Sequence, residues 1–125
     1  MSQNQKTLQF KHESDTWKRY LQFIQQENNY LKNRLSLALQ NDTDHTFLER
    51  AEYFQNKFIN EDDTVNMLRQ DIHELEQSFT KEMEEDSNIK LLEKKLKKMQ
   101  KDMDIVERQF TILKSDFNHY LSDVK

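Results

Sequence analysis

The chain has 125 residues and a formal net charge of −4, with 34% charged residues and no glycine, proline or cysteine. Without glycine it lacks the loops that cradle phosphates and the tight turn that presents a nucleophilic serine. Without cysteine it lacks disulfides, thiolate nucleophiles and thiolate metal ligands. Most common enzyme signatures are therefore excluded, and no cofactor is expected.

The sequence shows no signal for export or membrane insertion. No apolar run approaches the roughly 20 residues that span a bilayer, and residues 1–9 lack the apolar core of a secretion signal. We therefore expect a cytoplasmic protein. We expect residues 1–9 to form a flexible tail, and residues 10–125 to form a single domain.

The first predicted helix covers residues 14–39. Apolar residues recur there at the alternating spacing of three and four that keeps one stripe of a helix facing a partner. The stripe consists of Trp17, Leu21, Ile24, Asn28, Leu31, Leu35 and Ala38, with Phe10 as an upstream extension. Asn28 is its polar member.

The second predicted helix covers residues 46–81 and has a longer stripe with one polar member, Glu61. Thr46 followed by Glu49 matches a capping box and predicts the start of this helix. The stripe consists of Phe47, Ala51, Phe54, Phe58, Glu61, Val65, Leu68, Ile72, Leu75 and Phe79.

The third predicted helix covers residues 88–122, with Ser87 as its expected cap. Its stripe has no polar member. It consists of Ile89, Leu92, Leu96, Met99, Met103, Val106, Phe110, Leu113, Phe117, Tyr120 and Val124.

The order of these helices predicts an all-α, elongated, up-down-up antiparallel three-helix bundle. Polar residues fill both junctions, and the stripe of the second helix does not continue in phase into the third, so a turn is expected near Asp86. Folding at these turns brings Asn28, Phe58 and Ile112 to one level. The alternative joins the second and third segments into one long bent helix.

Further apolar residues lie beside the stripes and make the apolar faces wider than two neighbouring helices ordinarily cover. One interpretation is a homodimer interface, since large exposed apolar patches usually mark contacts. The other is a wider internal core where the helices splay. The candidate interface residues are Tyr20, Phe23, Tyr30, Leu37, Leu91, Ile105 and Ile112.

Glu61 is expected to belong to a buried polar layer, because a carboxylate on a buried stripe must be paired, hydrated or protonated. The candidate members are Gln25, Asn28, Glu61 and Gln109. Such a layer would specify the register of the helices. Two alternative interpretations are that Glu61 lies at a hydrated edge of the bundle, or that it lies in a ligand pocket.

A metal-carboxylate enzyme is the alternative from another class, because helical bundles can hold metal centres between inward carboxylates and histidines. Its candidate ligands are His73, Glu76, Asp116 and His119. Neither pair has the Glu-x-x-His order of dinuclear centres, and Glu61 is the sole carboxylate on the stripes.

A cluster of lysines on the third helix is the candidate for binding nucleic acid or an anionic membrane. It consists of Lys90, Lys94, Lys95, Lys97, Lys98 and Lys101. Antiparallel pairing sets this cluster against Asp71, Glu74 and Glu76, which favours an internally balanced, solvated face instead. The net negative charge does not favour a general nucleic-acid binder.

Residues 10–19, together with Glu27-Asn28 and residues 31–35, resemble a group of small uncharacterised all-helical proteins of Bacteroidetes-type bacteria. This resemblance implies a bacterial, non-secreted helical protein and transfers no activity, ligand or functional residue. The residues themselves favour a non-enzymatic bundle that acts through protein–protein association, as a structural, adaptor or self-assembling module.

Overall fold

The computed structural model describes residues 3–41, 44–85 and 89–122, and the side chains of 5–41, 44–81 and 90–122 within them. These residues form three α-helices: α1 (Gln3–Asn41), α2 (His45–Glu85) and α3 (Ile89–Ser122). All described residues except Asp44 are helical, and the described part of the chain contains no strand. The predicted all-α three-helix bundle is confirmed.

The described members of the periodic stripes form the core, whereas Val124 and the side chain of Ile89 lie outside the described part of the chain. Apolar residues on all three helices are buried, including Leu21, Phe58 and Phe117, each 0% exposed. Ala38 and Leu96 are half-buried and pack against this core. Because each stripe lies on one side of its helix, burying all three stripes requires the helices to face a common axis.

Pairings between side chains show the direction of each helix. Ser14 bonds to Glu76 and Asn28 bonds to the Phe58 carbonyl, so α1 and α2 run antiparallel. Tyr120 bonds to the Phe47 carbonyl, and Lys98 shares a groove with Asp71, so α2 and α3 also run antiparallel. The chain therefore folds up, down and up, and a single bent helix over α2 and α3 is wrong.

Two aromatic clusters hold opposite ends of the bundle. Near the start of α1, the rings of Phe10 and Phe79 stack with centroids 4.2 Å apart. At the other end, the ring centroid of Phe54 lies 5.3 Å from that of Phe117 and 4.9 Å from that of Tyr120. Stacked and edge-on pairs of this kind add specific geometry to the burial of apolar area.

Helix boundaries differ from the predictions at both ends of α1 and α2 and at the start of α3, and contacts explain two of these differences. The first helix begins at Gln3, not at residue 14, so residues 3–9 are helical where a flexible tail was expected. Two contacts explain the extension: Phe10 stacks on Phe79, and Lys6 pairs with Glu93 on α3 at 3.2 Å. The predicted cap at Ser87 lies outside the described residues.

The start of α2 is the second difference, because its cap is Asp44 and not Thr46. The backbone N–H of Phe47 donates to the Asp44 carboxylate at 3.1 Å, and the N–H of Leu48 donates to the Asp44 carbonyl at 2.9 Å. These are the bonds of an N-cap residue. Thr46 and Glu49 lie inside the helix, where Glu49 pairs with His45 at 3.0 Å.

Candidate functional site

Glu61 lies on the buried side of α2, with its side chain between the helices. It is 7% exposed, and its Oε1 atom accepts no hydrogen bond from any residue that the structure describes. A buried carboxylate without a partner favours its neutral form, since water can no longer stabilise the charge. Burial raises the pKa of the Glu61 carboxyl, with a further increase from the Asp62 carboxylate, to about 7.

Asn28 is the second buried polar residue at this level, but its partner is not Glu61. Its amide donates to the Phe58 carbonyl at 2.9 Å and to the Asp62 carboxylate at 2.8 Å. Lys32 pairs with the other Asp62 oxygen. Asp62 therefore links α1 to α2 by accepting from an amide and an ammonium, a role that sequence reasoning did not assign.

The predicted polar layer is thus divided between different surroundings. Asn28 and Glu61 are buried, Gln25 is half-buried, and Gln109 is exposed. Gln109 lies on the rim of a groove that Glu61 also lines. Asn28, one of the three candidate partners of Glu61, bonds elsewhere, because its short side chain reaches the carbonyl of Phe58 and the carboxylate of Asp62, one position beyond Glu61.

The groove at Glu61 runs between α2 and α3 and has a volume of about 290 Å³. Its walls combine charged, amide, aromatic and aliphatic side chains. The lining residues are Tyr53, Lys57, Asn60, Glu61, Thr64, Gln109, Ile112, Leu113 and Asp116. The Lys57 ammonium lies 5.4 Å from the centroid of the Tyr53 ring, which is half exposed.

A second cluster of polar side chains joins α1 to α2 around Glu76. Ser14, fully buried, donates to the Glu76 carboxylate at 2.6 Å, and Lys18 donates to the same oxygen at 2.8 Å. Burial opposes ionisation of Glu76, but these hydrogen bonds and the charges of Lys18 and His73 outweigh it and lower its pKa. Glu76 is therefore a structural carboxylate.

The candidate metal ligands are not brought together. Glu76 and His73 lie at the level of Ser14, whereas Asp116 and His119 lie beside the Phe54–Phe117 contact on the far side of Asn28. These levels are separated by about 25 Å or more, at 1.5 Å per helical residue. Within the described ranges, no three histidine or acidic side chains form a group that could hold a metal ion.

The lysine cluster divides into two groups. Lys95 and Lys98 line a groove with Asp71 and Glu74 of α2, and Lys98 also pairs with Asp102 at 2.9 Å. Lys98 is exposed, and the hydrogen bond and charge of Asp102 raise its pKa. The remaining members, Lys90, Lys94, Lys97 and Lys101, are exposed as well, and Lys97 borders a groove between α3 and α1.

The candidate interface residues form two rows. One lies on α1 beside its groove with α3, and the other lies on α3 beside its groove with α2. Phe23, Tyr30 and Leu37 repeat every seven residues on α1 and are 49–59% exposed. Tyr30 stands next to Arg34, which bonds to Asn118 of α3, so this row borders the α1–α3 groove. Half-buried Tyr20 extends it, with its ring 5.9 Å from that of Phe23.

The second row belongs to α3 and consists of Leu91, Ile105 and Ile112, which are 38–60% exposed. Ile112 lines the groove between α2 and α3, and the spacing of seven and fourteen residues places the other two on the same face. The two rows therefore do not form one continuous patch. Tyr53 and Met67 add exposed apolar area on α2.

No helix within the described residues is both long enough and apolar enough to cross a membrane. Comparison of the chain with protein-family models, with curated proteins and with solved structures gave no match. Any functional interpretation therefore depends on the surfaces of the bundle itself.

Proposed function

We propose that this protein acts through association with another protein chain, in the simplest form as a homodimer, and that it has no catalytic activity. The observation that supports this most strongly is the row of Phe23, Tyr30 and Leu37. These large apolar side chains stay exposed although the bundle has already buried its core stripes. Exposed apolar rows of this kind are typical of contact surfaces.

The α1 row is the better candidate for the centre of such an interface. It combines two aromatic rings with a leucine on one helix face, and aromatic residues dominate the energetics of protein contacts. Arg34, whose guanidinium lies 5.7 Å from the Tyr30 ring centroid, adds a second side chain of a type enriched in interfaces.

Sedimentation velocity tests the association directly. The chain has a mass of 15.3 kDa, so a homodimer should sediment as a species of about twice that mass at micromolar concentration. Tyr30→Glu should shift the species to the monomer, because a charge in the centre of an apolar contact is desolvated without a partner. Ile112→Glu, on the other row, is the matched control and should leave the dimer intact.

A monomeric wild-type chain at all concentrations would contradict the homodimer. Loss of the dimer in Ile112→Glu but not in Tyr30→Glu would instead show that the interface lies on the α3 row. Because both positions are exposed in the bundle, circular dichroism should show an unchanged helical content for each variant.

Binding of a polyanion is the second candidate function, supported by the outward lysines of α3. Lys90, Lys94, Lys97 and Lys101 are exposed along this side of the helix. Such a row could neutralise phosphates, and its affinity for them would fall steeply as the salt concentration rises.

Filter binding with a DNA duplex tests this second function. Retention of the duplex that disappears on Lys94→Glu and Lys101→Glu would support polyanion binding. Absence of retention at physiological salt would contradict it.

A further inference from the structure

The groove between α2 and α3 combines a buried carboxylate with an open approach from solvent. Glu61 is more than nine-tenths buried, yet it is part of the wall of a groove of about 290 Å³. Its Oε1 atom is without a hydrogen-bond donor among the residues described. Oε1 is itself closed to solvent, so the folded chain keeps a buried acceptor behind the wall of this groove that none of its own described donors uses.

The other groove residues indicate the chemistry of a complementary group. Asp116 supplies a second carboxylate from α3, while Ile112 and Leu113 supply an aliphatic wall. Tyr53 offers a half-exposed ring face that already holds the Lys57 ammonium at 5.4 Å. Carboxylates and an aromatic face both attract ammonium groups, and the aliphatic wall suits a hydrocarbon stem.

We propose that this groove binds a primary ammonium group carried on a short aliphatic stem, with the ammonium donating to the Glu61 carboxylate and the stem lying against Ile112 and Tyr53. The second carboxylate, Asp116, favours a diamine over a monoamine. This binding site is independent of the association surface on α1. Anions are disfavoured because they would be repelled by both carboxylates.

Binding of an ammonium at Glu61 should release a proton. Burial, and then the Asp62 charge, raises the pKa of this carboxyl to about 7, so much of it is neutral at pH 6. An incoming cation stabilises the ionised form and lowers the pKa again. The charged and titratable groups around Glu61 include Asp62, Lys57 and Tyr53 on α2 and Asp116 on α3. On α1 the nearest such group is Tyr20, whose pKa is raised by burial first and then by the charges of Glu107 and Glu61.

Lys57 is the native cation nearest to the proposed ligand and would compete with it. Its ammonium lies over Tyr53, within the same groove, so it repels a second positive charge placed there. Lys57→Met keeps an aliphatic side chain of similar length and removes that repulsion. We therefore expect this variant to bind the ligand several-fold more tightly than the wild type.

Isothermal titration of the full chain with pentane-1,5-diamine at pH 8 tests the proposal, with pentane-1,5-diol as the uncharged control. We expect a dissociation constant of roughly 1 mM or below for the diamine and no heat from the diol. Glu61→Gln should weaken binding by about tenfold or more, and Asp116→Asn by less. Asp63→Asn, which changes an exposed carboxylate outside the groove, should have no effect.

Repeating the titration at pH 6 in buffers of different ionisation enthalpy should show release of a fraction of a proton, and this release should vanish in Glu61→Gln. Four results would overturn the proposal: no diamine binding up to roughly 10 mM, equal binding of the diol, retention of affinity in Glu61→Gln, or an equal loss in Asp63→Asn. Weaker diamine binding by Lys57→Met would contradict the proposed repulsion between the Lys57 ammonium and the bound ligand.

Discussion

Glu61 makes the stability of the bundle depend on pH. Its pKa is raised from 4.5 to about 7 in the folded chain, so between these values the folded state keeps a proton that the unfolded state has lost. The stabilising contribution is complete at low pH, falls as the pH rises, and is gone above about pH 7. Ionised Glu61 in the same buried place then opposes folding.

Glu61→Gln should remove this dependence, because the amide stays neutral at every pH. We expect similar free energies of unfolding for wild type and variant at pH 4, and a variant that is more stable at pH 8 by roughly 3 kcal/mol. Urea unfolding at the two pH values measures both quantities. A stability difference that is the same at pH 4 and pH 8 would contradict the neutral buried carboxyl.

Asn28 is expected to contribute through its two hydrogen bonds to α2. Asn28→Ala leaves the Phe58 carbonyl without its side-chain donor and removes one partner of Asp62, so we expect a loss of about 2 kcal/mol in the free energy of unfolding. Asn29→Ala, at the adjacent exposed position, is the matched control and should change stability by less than about 0.5 kcal/mol. Equal effects of the two changes would show that the Asn28 bonds contribute nothing net.

At the level of the helices, the cap of α2 offers a direct comparison between two neighbouring residues. Asp44→Ala should destabilise the chain by about 1 kcal/mol, because the Phe47 N–H loses its acceptor. Thr46→Ala should have a small effect, since Thr46 lies within the helix. Thermal unfolding of both variants checks this, and a larger loss for Thr46→Ala would favour the capping box over the Asp44 cap.

Periodicity in the sequence was sufficient to predict which side of each helix is buried. Burial of apolar side chains is a property of a whole stripe, so single exceptions such as Asn28 and Glu61 do not obscure it. Helix ends depend on individual hydrogen bonds, so the pattern that predicted Thr46 as the cap could not show that Asp44, two residues earlier, takes this position. The early start of α1 depends on contacts with Phe79 and Glu93 on other helices, which local sequence does not display.

Predictability was lower for the candidate site than for the core. Helical phase placed Glu61 and Asn28 on the buried stripes and near each other, but it could not show that the Asn28 side chain reaches Asp62. The groove lies between α2 and α3, so its shape depends on the distance between these two helices. The sequence of neither helix displays that distance. The sequence did contain one signal for the Lys32–Asp62 pair. These two residues carry opposite charges and lie close in sequence to Asn28 and Glu61, the polar members of the two stripes.

At the scale of the whole molecule, the grooves and exposed rows exist because α2 and α3 fold back on each other. The groove at Glu61 takes Tyr53 and Lys57 from α2, and Ile112 and Asp116 from α3. The hairpin therefore determines the groove proposed to bind an ammonium, the separation of the two apolar rows and the balance between Lys98 and Asp71. Its geometry can be tested without reference to any function.

Because the chain contains no cysteine, spin labels can be attached at two introduced cysteines, Gln55→Cys on α2 and Ser115→Cys on α3. Both positions are exposed, and both are close in sequence to the Phe54–Phe117 contact of 5.3 Å. The antiparallel α2–α3 hairpin predicts a narrow distance distribution at roughly 20–30 Å including the label arms, measured by double electron–electron resonance in magnetically diluted protein. A distance near 90 Å, which a continuous helix over these residues requires at 1.5 Å per residue, would contradict the bundle.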